Sequence, residues 1–167
     1  MHQLILMRHA KAERARPDLP DFERALAPSG MIAGANMRRK LQSLGVEPDV
    51  VLVSSARRTR ETLEAVLAWD NGANIDIMDG LYMAPLARLL DMLGGLRETA
   101  RSVLIVGHNP GIGELAWHLA ARGPESEAKT KLNDGFPTMR VAEFLVLTPW
   151  HAISPGTTRL QRVIDPV

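Results

Sequence analysis

The chain contains no cysteine. That absence excludes disulfides, thiolate metal sites and a cysteine nucleophile together, and it fits a reducing compartment such as the cytoplasm. Charge of one sign is missing as well: the formal net charge is +1, so overall charge favours neither nucleic acid nor a membrane surface as a partner. Aromatic residues are scarce, at 4%, which argues against base-stacking recognition of single strands. No apolar run approaches the roughly 20 residues of a membrane span. The apolar start, Met1 to Met7, is short, has no basic stretch ahead of it, and is closed by Arg8, so it does not read as a targeting segment.

What is present is an ordinary globular composition, 46% hydrophobic and 23% charged over 167 residues. That length suits one domain, residues 1–167, with a substantial core. Short apolar runs recur at Leu4–Met7, Val50–Val53, Ile75–Met78, Val103–Val106, Phe144–Leu147 and Leu160–Ile164. Continuous β-branched and Leu runs bounded by turn residues predict strands buried on both faces. Helical patterns lie between them. Ser29 is positioned to cap a helix with Ala33, Met37, Leu41 and Leu44 on one stripe, stopped by Gly45. Further helices are expected over Arg57–Ala68, from Pro85 and after Pro110-Gly111. Ala10–Pro28, with three prolines, reads as a surface loop, and Gly123–Gly135 reads as a connection. Strand–helix alternation predicts a three-layer α/β/α sandwich with a mostly parallel central sheet.

In such sheets ligands bind beyond the carboxyl ends of the strands. Those ends carry Arg8-His9, then Ser54-Ser55-Ala56-Arg57-Arg58, then Gly107-His108-Asn109. Two histidines and several arginines thus converge from three strands. The combination suits phosphoryl transfer, which is chiefly positioning and charge stabilisation. Arginine binds phosphate oxygens with a planar pair of donors. A neutral imidazole is a competent nucleophile at phosphorus. No His or carboxylate pair has metal-ligand spacing, so no metal and no cofactor is expected. Gly107–Gly113 lacks the Gly-Lys-Ser/Thr ending of a nucleotide-binding loop. Arg57-Arg58-x-Arg60 is read as a helix face, with Arg57 and Arg60 toward solvent or Glu61 and Glu64, rather than a nucleic-acid patch.

Leu6-Met7-Arg8-His9-Ala10 resembles the Arg-His-Gly/Ala signature of the histidine phosphatase superfamily. Ser54-x-x-x-Arg58-x-x-x-Thr62 is similar to its second segment, and Val106-Gly107-His108-Asn109 to the segment holding its second histidine. Leu81-Tyr82-x-Ala84, Phe136-Pro137-Thr138 and Trp150…Pro155-Gly156 resemble the small bacterial branch of SixA-type phosphohistidine phosphatases. The resemblance implies a phosphoglycerate mutase-like fold and a metal-independent phosphohydrolase. In it His9 is the nucleophile, and Arg8, Arg58 and His108 bind the phosphoryl oxygens. It implies as substrate a phosphorylated protein, above all phosphohistidine, or a small phosphate ester such as a sugar phosphate or nucleotide; a non-catalytic phosphohistidine-binding module is the reading from another class. Larger members supply a carboxylic acid to the leaving group. Here Asp79, after the third strand, is the best-placed carboxylate, and Glu13 the next. An imidazole leaving group, with a pKa of about 6.5, depends less on such an acid than an alkoxide does.

Overall fold

The computed structural model describes residues 1–67 and 72–167. Its six strands are β1 (His2–Arg8), β2 (Val50–Ser54), β3 (Asn74–Met78), β4 (Ser102–Gly107), β5 (Val141–Val146) and β6 (Thr158–Ile164). They form one sheet in the order β3-β2-β4-β1-β5-β6. Strands β3, β2, β4 and β1 run parallel, β5 lies antiparallel to β1, and β6 lies antiparallel to β5. Among the described residues five α-helices cover it: α1 (Pro28–Ser43), α2 (Arg57–Val66), α3 (Leu86–Gly94), α4 (Gly111–Ala120) and α5 (Glu127–Asn133). This is the expected α/β/α sandwich. Among the described residues no helix is long and apolar enough to cross a membrane.

The alternation of side chains along each strand divides the core into two layers. Leu4 and Leu6, with Val103 and Ile105, pack under Leu89, Leu93, Leu115 and Leu119 of α3 and α4. Ile5 and Met7, with Leu104 and Val106, pack under Met37 and Leu41 of α1 and Leu63 and Val66 of α2. Each such side chain, once fully buried, contributes about 1.5–3 kcal/mol of transfer free energy. The middles of the central strands, Leu4–Met7 and Val103–Val106, are therefore wholly apolar, and polar residues resume at the carboxyl ends with Arg8 and His108.

Several local expectations differ from the structure. Helix α1 begins at Pro28 with Ala27 as N-cap, so Ser29 lies inside the first turn. Proline at the first helical position needs no N–H partner and supplies the helical φ. The helix ends as expected: Gly45 takes φ +66, and Gly45 and Val46 N–H groups donate to the Gln42 and Leu41 carbonyls, a Schellman closure. Leu44, expected on the buried stripe, is exposed. Gly34 is buried in its stead, because a Cβ there would sit 2.6 Å from that of Ala65 in α2. Strand β3 is a sheet edge with Ile75 and Ile77 exposed, not a strand buried on both faces. The stretch read as a connection contains α5, capped by Ser126 Oγ accepting from the Lys129 N–H at 3.1 Å. Helix α2 is described to Val66, and its expected end at Ala68 lies outside the described residues.

Two close approaches fix the loops around the site. Gly30 lies against the Lys11 carbonyl, which a Cβ would approach to 2.2 Å, and the same carbonyl accepts the Ala27 N–H at 2.9 Å. Gly111 lies against the Ala84 carbonyl, which a Cβ would approach to 2.0 Å. The loop after β1 is thereby pinned to α1, and the turn before α3 to the start of α4.

Candidate active site

The carboxyl ends of β1, β2 and β4 and the start of α2 surround a cavity of about 480 Å³. Its lining includes Arg8, His9, Lys11, Asp21, Arg24, Arg58, Met83, His108, Asn109 and Thr138. The structure thus brings together Arg8, His9, Arg58 and His108, the four residues expected to meet there. The fifth candidate, Asp79, does not join them. It is exposed, its carboxylate accepts the Ser55 hydroxyl at 2.5 Å, and it is not among the lining residues. The acid that the cavity holds is Asp21, from the loop after β1.

His9 is buried, and its Nδ1 lies 2.7 Å from the Ala10 carbonyl oxygen. A carbonyl only accepts, so Nδ1 carries the proton and Nε2 carries the lone pair. Arg58 Nε donates to that Nε2 at 3.3 Å. Burial, reinforced by the charges of Arg58, Arg8 and Arg24 against the bond to Ala10, lowers the His9 pKa to about 4. The ring is therefore neutral at pH 7. The His108 ring lies 5.3 Å from it, tilted by 59°. Burial first, then Arg58 and His9, lower the His108 pKa to about 3. His108 Nε2 meets Ser54 Oγ at 2.8 Å. His108 Nδ1 and Arg8 Nε are buried with no hydrogen-bond partner in the structure. Buried polar atoms left unpaired are uncommon, and both belong to side chains that line the cavity.

The spacing of the second motif has a mechanical basis. Thr59 Oγ1 donates to the Ser54 and Ala56 carbonyls and closes the turn from β2 into α2. Thr62, one helical turn after Arg58, accepts the Ala10 N–H at 2.9 Å and is bonded to the Arg58 carbonyl at 2.7 Å. It ties the loop that carries His9 to the helix that carries Arg58. On the opposite wall Arg8 Nη1 and Asn109 Nδ2 both donate to the Phe136 carbonyl, at 3.1 and 2.7 Å.

Sequence reasoning did not single out Asp21 or Met83. Asp21 accepts from Arg58 Nη2 at 2.9 Å, Arg24 Nη2 at 2.7 Å and Tyr82 Oη at 2.5 Å. The Tyr82 hydroxyl above all, with Arg24 and Arg58 and against some desolvation, holds this carboxyl well below the usual carboxylate range. The available signal was its place three residues before Arg24, a spacing at which the two side chains can pair. Elsewhere Arg57 pairs with Glu61 at 3.1 Å, as expected. His2 is structural, stacked on Trp150 at 4.7 Å and bonded to Glu98.

A neutral, partly enclosed imidazole beside fixed guanidinium donors defines an α/β enzyme that handles phosphoryl groups. No family model matches the chain. An uncharacterized protein of Mycobacterium tuberculosis is 32% identical over 160 residues, spanning 92% of this chain and 96% of its own length. One from Mycobacterium leprae is 31% identical over 163 residues, with the same shares. Among solved structures, a protein assigned as a phosphohistidine phosphatase SixA from Nakamurella multipartitia superposes with a TM-score of 0.85 at 31% identity, over 99% of this chain and 96% of that one. One of the same assignment from Agrobacterium tumefaciens gives 0.82 at 30%, over 99% and 98%. The protein histidine phosphatase SixA complexed with tungstate shares the fold, with a TM-score of 0.77 at 24% identity, over 98% and 97%. The chain belongs to the histidine phosphatase superfamily, in its small SixA-type branch, and is a phosphatase.

Proposed function

We propose that this phosphatase removes the phosphoryl group from phosphohistidine on a partner protein, through a transient phosphohistidine on His9 and without a metal. The observation that carries the reading is the fixed tautomer of His9: with Nδ1 held on the Ala10 carbonyl, Nε2 presents its lone pair to the cavity beside Arg58. Attack forms the P–Nε2 bond and breaks the bond from phosphorus to the substrate's imidazole, which departs with the proton on its remote nitrogen. Arg8, Arg58 and His108 hold the phosphoryl oxygens while charge redistributes. Water then attacks phosphorus, the P–Nε2 bond breaks, phosphate takes the oxygen, and the water's proton passes to phosphate or solvent.

The protonation states support this substrate class. His9, His108 and Asp21 are all held in their deprotonated forms at pH 7 in the free enzyme. None of the three is then a ready donor for an alkoxide, whereas imidazole leaves as a neutral molecule. A bound phosphoryl dianion offsets the Arg58 charge and makes His108 easier to protonate, so slower turnover of activated esters is compatible with the same site.

The test is turnover in EDTA of a phosphohistidine-bearing protein against sugar phosphates and nucleotides. The phosphoprotein is expected to be the better substrate, with an acid-labile, base-stable phosphoenzyme trapped in the wild type and lost in His9→Ala. Hydrolysis confined to the small esters overturns the substrate. A trapped phosphoenzyme that survives His9→Ala overturns the nucleophile, and activity abolished by EDTA and restored by a divalent ion overturns the metal-free route.

A further inference from the structure

We infer that Asp21 is the positioning residue of this site: it grips one edge of the Arg58 guanidinium so that the other edge faces the phosphoryl group. The inference rests on the reading of His9, Arg58 and His108 as the phosphoryl pocket. A guanidinium presents five N–H donors in one plane, on an end-on edge formed by Nη1 and Nη2 and a side edge formed by Nε and Nη2. Arg58 Nη1 donates to the Asp21 main-chain carbonyl at 2.8 Å, and Nη2 donates to Asp21 Oδ2 at 2.9 Å. One residue therefore occupies the end-on edge with its backbone and its side chain together.

The side edge is differently placed. Nε points to His9 Nε2 at 3.3 Å, and Nη2 also points to Met83 Sδ at 3.9 Å. The first contact is long and the second ends on a weak acceptor. A pair of phosphoryl oxygens accepts from the same edge through short, charge-assisted bonds, so exchanging these partners for substrate is favourable. It also releases the His9 lone pair for attack. The two edges of Arg58 thus have separate tasks, and Asp21 decides which edge does which.

Asp21 is itself well anchored. Oδ1 accepts from Arg24 Nη2 at 2.7 Å and Nε at 3.2 Å, and Oδ2 accepts from Tyr82 Oη at 2.5 Å. Arg24 is tied in turn to the Glu13 carbonyl at 3.0 Å. The Tyr82 ring packs 5.2 Å from Phe22 and 5.4 Å from His108. The carboxylate therefore joins the loop after β1, the start of α2 and the turn after β3, and it is held as an anion. Among the described lining residues Asp21 is the acid in a cavity that also holds Arg8, Lys11, Arg24 and Arg58. This separates two roles. If Asp21 acted only as a charge, removing it would leave the pocket more positive and strengthen phosphate binding with little effect on kcat. If it positions Arg58, removing it lowers kcat.

Steady-state kinetics and tungstate affinity of the full chain distinguish these. Asp21→Ala is expected to lower kcat at least tenfold while tungstate affinity is unchanged or rises. In an Arg58→Lys background, where no guanidinium edge remains to be oriented, the same change is expected to lower kcat less than twofold. Tyr82→Phe removes one donor to the carboxylate and leaves the rest, and is expected to lower kcat two- to fivefold without raising KM; it carries the test if Asp21→Ala does not fold. Equal losses in both backgrounds, or a loss confined to KM, overturn the inference. Loss of the phosphoenzyme in His9→Ala together with unchanged kcat in Asp21→Ala and Tyr82→Phe overturns it while leaving the proposed function standing. Unchanged turnover in His9→Ala overturns the proposed function first.

Discussion

Lowering the pH is the perturbation that most directly interrogates the two buried imidazoles. In the unfolded chain a histidine takes up a proton below about pH 6.5. In the folded protein His9 resists until about 4 and His108 until about 3. Between those limits the unfolded state binds more protons, so stability falls as pH falls. Above the unfolded pKa neither state is protonated and the contribution vanishes. Integrated from neutral pH down to about 4.5, each imidazole removes about 2.5 kcal/mol, and the pair about 5 kcal/mol. That is a large share of the roughly 5–15 kcal/mol by which domains of this size are stable. Carboxylates held low by their donors, such as Asp21 and Asp165, act in the same direction, but mainly below about pH 4. The interval from about 6.5 to 4.5 therefore reports the histidines. Urea unfolding followed by tryptophan fluorescence at a series of pH values measures the slope. His108→Gln, which leaves one of the two buried imidazoles, is expected to show about half of it. A flat profile in the wild type, or an undiminished slope in His108→Gln, would refute the electrostatic account of the pocket.

The same lowered His9 pKa predicts that kcat/KM of the free enzyme keeps its acid limb near pH 4, not near 6.5; a limb at 6.5 in a pH–rate profile contradicts a neutral, desolvated nucleophile. Thr62→Val removes the acceptor of the Ala10 N–H and a donor to the Arg58 carbonyl, and is expected to destabilise by about 1–3 kcal/mol, with kcat falling alongside, as thermal unfolding and steady-state rates report. Gly111→Ala forces a Cβ to 2.0 Å from the Ala84 carbonyl. Backbone cannot yield as a side-chain tip does, so a loss of about 3 kcal/mol, at the upper end for overpacking, is expected by urea titration.

Hydrophobic period made most of the sheet readable. Leu4–Met7 and Val103–Val106 are buried on both faces because they pair in the middle of the sheet, and continuous apolar runs report that burial. Ile75–Met78 carries a similar signal but lies at the edge, since strand order depends on crossovers that no local pattern encodes. Helix α5 was obscured for the opposite reason. Its sequence, Glu127–Asn133, is mostly polar, and the one buried side chain is Leu132, too little to set a period. Gly34 carries no such signal at all, because its burial comes from the close approach of Ala65, a tertiary fact.

The site divides along the same line, and the division says what kind of information a functional residue needs. Arg8 and His108 follow directly from buried strands, and Arg58 is fixed one residue into a helix by the Ser54–Thr59–Thr62 contacts. Their convergence could be read because parallel strands end together on one side of a sheet. Asp79 satisfied the same rule by sequence position, yet Ser55 captures its carboxylate outside the cavity. Asp21 satisfied no such rule. It enters from a proline-rich loop, and its main partners, Arg58 and Tyr82, are 37 and 61 residues away. A strand end delivers a side chain to a place but leaves its orientation open, and orientation is what a planar guanidinium needs. The groups that supply it must approach from outside the sheet, so they come from loops, where hydrophobic pattern is silent. In this fold the groups proposed to bind the phosphoryl oxygens are therefore legible from the sequence, while Asp21, proposed to aim one of them, becomes visible only when the loop is seen in place.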